Sequence, residues 1–267
     1  MPVSAPLPPT RRTASFVWVR RAVVAVVLVA FAIWAKVRIE GLDASTQATN
    51  PIMRWEWLFE RERTPGELRA LTIEHLKLTV IPVAIGIVIA AGLTLVTRKL
   101  RWTLTPITVL ASFLYTIPSF ALFGILRTYT SNFQAAVIAL TSYTLLVLVR
   151  NFVAGLDAVP RHVLDAADGL GMGPLRRLVS VEIPLALPVI FTGIRVATVT
   201  IVGLVAVSSI IQLGGLGSLI FEGYNRQFST LIVVGTMFSV LLATMLDLLL
   251  DRVGRLVTPW VRRKAEP

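Results

Sequence analysis

Few side chains in this 267-residue chain carry the chemistry of an active site. There are two histidines, His75 and His162, and no cysteine, so neither an HExxH pair nor a thiolate cage for zinc can be assembled. The lysines follow Ala35, Leu76, Arg98 and Arg263. No Gly-Lys pair exists to cradle a nucleotide phosphate, which excludes ATP hydrolysis by a P-loop in this chain. No Gly-x-Ser-x-Gly elbow supports a serine hydrolase. Both histidines read as ordinary solvated side chains, and neither a metal nor another cofactor is expected on the chain itself. What remains are polar groups inside apolar runs, above all Arg195, and one polar loop rich in Ala, Gly and Pro.

The elements that position these groups follow from composition. Hydrophobic residues make up 55% of the chain and charged ones 15%, with a mean hydropathy of +0.76, which describes a membrane protein. A bilayer core of about 30 Å needs about 20 helical residues. Charge-poor runs of that order occur at 16–35, 78–97, 103–126, 132–149, 185–213 and 229–246. The expected fold is all-α and polytopic, with about six transmembrane helices, because a backbone in lipid must satisfy its own hydrogen bonds. With the N-terminus inside, 16 Lys and Arg fall on the cytoplasmic side and nine outside, so both termini are expected in the cytoplasm. The net charge of +11 is then a membrane-orientation signal and not a nucleic-acid footprint.

The expected organisation is a flexible cytoplasmic N-terminus (1–15), a first span (16–35), an external loop (36–75), a core (76–258) with a cytoplasmic loop at 157–184, and a cytoplasmic tail (259–267). A cleaved signal peptide is the rival reading of the first span, since Ala30-Phe31-Ala32 imitates a cleavage site. The run exceeds a usual signal-peptide core, and the charge count works with the helix retained. Thr64-Pro65-Gly66-Glu67 has capping-box spacing, so a short helix is expected to begin there and lead into the second span.

The loop reads from Asp157 to Pro184. Pro160 suits a helix start, Val163, Leu164, Ala167 and Leu170 recur at helical spacing, and Gly169, Gly171 and Gly173 end the element. Pro174 opens a second short helix with Leu175, Leu178, Val179 and Ile183 on one face, expected to stop at Pro184. Neither helix is long enough to span, so their apolar faces need a surface: their own bundle, lipid headgroups or another protein. Arg161, Arg176 and Arg177 are balanced by Asp165, Asp168 and Glu182, which favours a protein surface over headgroups.

Asp165-Ala166-Ala167, then Gly171, then Val181-x-Ile183-Pro184 closely resembles the EAA loop of binding-protein-dependent ABC importer permeases, with Asp for Glu and Val and Ile for Ile and Leu. The resemblance covers roughly residues 72–258. Thr116-Ile117-Pro118-Ser119, Arg150-Asn151, Glu182 to Ile190, Gly193-Ile194-Arg195 and Gly214-Gly215-Leu216-Gly217 look like the osmoprotectant branch, permeases for glycine betaine, carnitine or choline. Methionine-type permeases share the loop and a Gly-Gly-Leu-Gly segment.

The resemblance implies a type I importer transmembrane domain, like that of methionine permeases, in the bacterial inner membrane. It implies a second permease chain, identical or similar, an external substrate-binding protein, and cytoplasmic ABC ATPase subunits that hold the ATP and Mg2+. A segment from Arg161 to Gly173 would be the coupling helix, with Asp165, Ala166, Ala167, Gly171, Val181, Ile183 and Pro184 as the motif positions.

Candidates for the path are Ser112, Tyr115, Thr116 and Ser119, at i, i+3, i+4 and i+7 on the third span with Pro118 available to bend it, and Thr198, Ser208, Ser209 and Gln212 on the fifth. Hydroxyls that bond their own helix backbone are the competing account. Aromatic faces of Phe113, Tyr115, Phe120 and Phe123 would attract a quaternary ammonium. Arg195 is assigned to structure or gating because a cation repels a cationic solute, and Pro118, Gly214, Gly215 and Gly217 to the same class because they bend or reverse the chain. Gly86, Ala90 and Thr94 form a small-residue face suited to a dimer seam or to internal packing. A channel or signalling anchor without ATP coupling is the rival of a different class.

Overall fold

The computed structural model describes residues 65–260. The expected first span and most of the outer loop lie outside them. Helix α1 (Pro65–Lys99) starts at the proline of the capping-box segment. It carries Glu67 in its first turn and Arg98 and Lys99 in its last, each sign at the pole of the helix dipole that favours it. The expected short helix is therefore not separate: loop helix and second span are one rod of 35 residues.

The expected third span is broken. Helices α2 (Leu104–Thr116) and α3 (Ser119–Tyr129) meet at 94°. Ile117 and Pro118 both take extended backbone, ψ 128° and 127°, because proline drives the residue before it out of the helical region. The Tyr143 hydroxyl donates to the freed Ile117 carbonyl at 2.5 Å, supplying a partner that lipid would not.

Helix α4 (Asn132–Asp157) begins at a capping box in which Gln134 N–H donates to Ser131 Oγ and Ser131 N–H to Gln134 Oε1. It is the central rod, packed between α1 and a later helix over clusters around Leu78, Leu140 and Ile201 and around Ala90, Leu148 and Ala197. The small-residue face of α1 is spent on this contact. A Cβ added at Gly86 would stand 2.0 Å from Thr144 Oγ1, and Ala90 and Thr94 are buried, so the face packs internally and is no dimer seam.

After the loop helix α5 (Arg161–Gly169), α6 (Pro174–Arg177) continues through a π-turn (Leu178–Glu182) into α7 (Ile183–Ser208). Pro184 does not stop the chain as expected. It sits in the first turn of α7, where its missing N–H is tolerated, and the widened turn before it keeps the helical path. Beyond α7 a 3-10 turn (Ser209–Ile211) leads to a reversal, then α8 (Gly217–Asn225) and α9 (Ser229–Val257), joined over Leu216, Leu219, Leu231 and Val234.

Among the described residues four helices are long and apolar enough to span, or five with the bent pair counted as one. Val88, Val109, Leu110, Phe113 and Met245 stand exposed, a surface suited to acyl chains or another subunit and not to water.

Candidate functional site

The loop end of the molecule is assembled from the last turns of α1 and α4, from α5 and α6, and from the π-turn. Helix α5 closes with Leu170 as its cap and Gly171 at φ +72°. Gly171 N–H donates to Asp168 O and Met172 N–H to Ala167 O, the paired bonds of a Schellman motif. The glycine four residues after the second alanine is thus a left-handed helix stop.

Ala167 is buried, with Val163 and Leu164 half-buried beside it, and α5 packs against α6 and the π-turn. Arg161, His162, Asp165 and Ala166 face outward. Leu170 and Leu175, on the apolar faces expected to need a covering surface, are 78% and 73% exposed, and Val179 is exposed too, so the chain's own bundle does not cover them. Val181, Ile183 and Pro184 are half-buried at the root of α7 and take no part in the outward face.

Ion pairs hang this loop from the bundle. Arg177 pairs with Asp168 and also with Glu182 at 3.0 Å, and Arg98 reaches the same Glu182 oxygen at 2.5 Å. Arg101 and Asp157 form a bidentate pair on the surface, at 2.6 and 3.0 Å.

The opposite end is held differently. His75, expected in solvent, is fully buried. Its Nε2 donates to Val202 O at 3.1 Å, so Nδ1 is the acceptor for Leu216 N–H at 3.3 Å, and the imidazole is neutral in this arrangement. The neighbouring Glu74 carboxylate accepts from Gly215 N–H at 2.9 Å. Gly214 and Gly215 are left-handed at φ +76° and +71°, and Gln212 at +59°. Gly217 lies against the Ala206 carbonyl, where a Cβ would stand 2.2 Å away. Two consecutive α1 side chains therefore grip the reversal that follows α7.

Arg195 faces the bundle, as its cost in lipid demands. Its guanidinium forks onto Asp247 at 2.8 and 2.9 Å and reaches Asp251 at 2.7 Å, and Asp251 also pairs with Arg255. Two carboxylates at i and i+4 near the end of one apolar run, opposite a lone arginine in another, are the sequence signal that would have found this cluster.

Residues 82–263 match the family model of the binding-protein-dependent transport system inner membrane component. The chain belongs to this family. It is 39% identical over 200 residues to the osmoprotectant import permease protein OsmW of Salmonella typhimurium, spanning 73% of this chain and 93% of that protein. It is 32% identical over 195 residues to the choline transport system permease protein OpuBB of Bacillus subtilis, over 73% and 90%. An inward-facing structure of the MetNI methionine ABC transporter superposes with a TM-score of 0.63 at 24% identity, over 71% of this chain and 95% of that one, which establishes the shared fold. The protein is the membrane component of an ABC importer, a multi-pass inner-membrane permease and not an enzyme. Permeases of this family operate with an ATPase and a substrate-binding protein.

The permease's polar candidates do not gather into one site. Ser112, Thr116, Thr198, Ser208 and Ser209 each donate to a carbonyl of their own helix or the turn before it. Ser119 is separated from the α2 stripe by the break at Pro118, so the four-residue stripe does not exist. Tyr115 stands partly exposed, edge-on to Tyr143 with ring centroids 5.9 Å apart. Gln212 is exposed at the reversal. Of the aromatic candidates, Phe123 is fully buried core, whereas Phe113 and Phe120 are exposed.

Proposed function

We propose that this permease imports quaternary-ammonium osmoprotectants of the glycine betaine, carnitine and choline class. Two such chains, or one with a similar partner, would enclose the path. The observation that carries the reading is the likeness to OsmW along 93% of that protein. In this reading both termini and the loop end lie in the cytoplasm, as the excess of arginine at that end favours. An ABC ATPase, holding the ATP and Mg2+, grips α5 through the outward face of Arg161, Asp165 and Ala166 and the exposed Leu170 and Leu175. An external binding protein delivers the solute at the opposite end. ATP drives the change because it binds one state of the assembly better than the other.

Reconstitution of the chain with its ATPase and binding protein tests this. ATP-dependent, saturable uptake of labelled glycine betaine, carnitine or choline is expected, with no uptake of methionine. Methionine as the solute taken up would overturn the assignment. Asp165→Lys and Ala166→Trp place a reversed charge and bulk on the gripping face without touching the bundle, and uptake through both variants is expected to fall at least about tenfold, the scale of a lost charged contact. Unchanged uptake through both would refute docking at α5.

A further inference from the structure

Glu182 occupies the variable position between Val181 and Ile183, yet it is the most enclosed charge at the loop end, with a side chain 5% exposed. It cannot touch a docked subunit. One oxygen, Oε1, receives Arg98 from the last turn of α1 at 2.5 Å and Arg177 from α6 at 3.0 Å. Arg177 continues to Asp168 in the last turns of α5. Asp168, Arg177, Glu182 and Arg98 therefore form an unbroken chain of charged contacts from the loop helix to α1, two acids against two bases, neutral as a whole.

By backbone alone, α5 is joined to α4 through Ala158 to Pro160 and to α6 through the Gly171 turn, and has no direct connection to α1. Glu182 also ends the π-turn between α6 and α7, where the helix is wider than an α-helix. Helix α1 in turn reaches the far end of the molecule, where Glu74 and His75 grip the reversal after α7.

We infer that Glu182 is a positioning residue for energy coupling: through Arg177 and Arg98 it makes α1 move with α5, so that displacement of the loop reaches the Gly214 to Leu216 turn. This rests on α5 being the docking helix. Glu182 is enclosed, so its attraction to Arg98 and Arg177 is only partly screened, while the outer contact of Arg177 with Asp168 reaches the surface.

The test uses the reconstituted complex and counts solute moved per ATP hydrolysed. Arg177→Gln cuts the chain between Asp168 and Glu182 while leaving Glu182 paired with Arg98. The ATPase is expected to co-purify and to hydrolyse ATP as before, with solute per ATP reduced about tenfold, the order of one charged hydrogen-bonded contact. Arg177→Lys, which keeps the charge, is expected to recover most of it, and Arg98→Gln to repeat the loss. Wild-type solute per ATP in both glutamine variants would overturn the inference, as would loss of the assembled complex in both, which would make the chain a clamp for the fold. Failure of the ATPase to bind the unaltered chain would instead refute docking at α5, so the two failures are distinct.

Discussion

The two ends of the permease both reverse the chain with left-handed glycines, and they secure those turns by opposite means. At the loop end Gly171 closes a helix whose outer face is open, and the surrounding charges meet in pairs that reach the surface, as with Arg101 and Asp157. At the other end Gly214 and Gly215 are pressed against α1, and the bonds come from a buried neutral imidazole and a carboxylate. The contrast separates a part built to be gripped from a part built to be held. Exposed pairs can exchange partners at little cost, whereas a buried donor left without an acceptor is expensive.

Removing the buried clasp gives the largest expected effect. His75→Ala leaves the Val202 carbonyl and Leu216 N–H without their partner and opens a cavity, and it should destabilise the solubilised permease by about 3 kcal/mol in thermal or denaturant unfolding. A change within error would mean the reversal is held by packing alone. The glycines sharpen the comparison next. Gly171→Ala meets nothing within 4 Å, so only its backbone strain counts, about 1 kcal/mol. Gly214→Ala has the same strain and would also bring its Cβ 2.2 Å from a Glu74 oxygen, displacing that carboxylate from Gly215. It should cost about 2 kcal/mol or more. Equal shifts at the two glycines would erase the distinction between the ends. Smallest of all, Arg101→Gln removes a pair whose side chains are 60% and 44% exposed, and stability should change by less than about 0.5 kcal/mol, shrinking further at high salt.

Local chemistry explains why the loop was readable in advance. Pro160 at a helix start, alanine at the buried turn and glycine at the stop are each required by neighbours within a few residues, so spacing alone placed α5 and its Schellman close. What covers its apolar faces was not legible: Leu170 and Leu175 fit a helical period and stand exposed in the single chain, because periodicity marks a face without saying what covers it. The lining of the path was not legible for a related reason. A hydroxyl in a membrane helix has a ready partner in its own backbone, and Ser112 and Thr198 take it.

Length, charge placement and short-range turn signals determined that the chain is a bundle of membrane helices with a helical loop at one end. Whether a proline bends, breaks or merely begins a helix was decided elsewhere. Pro118 breaks its span where Tyr143, 26 positions from Ile117, satisfies the freed carbonyl, and Pro184 leaves its helix intact where the π-turn precedes it. His75 is a clasp only because Val202 and Leu216, 127 and 141 positions away, converge on its two nitrogens. Such pairings depend on which rods lie side by side, and buried polar atoms that distant in the chain acquire partners only through that packing.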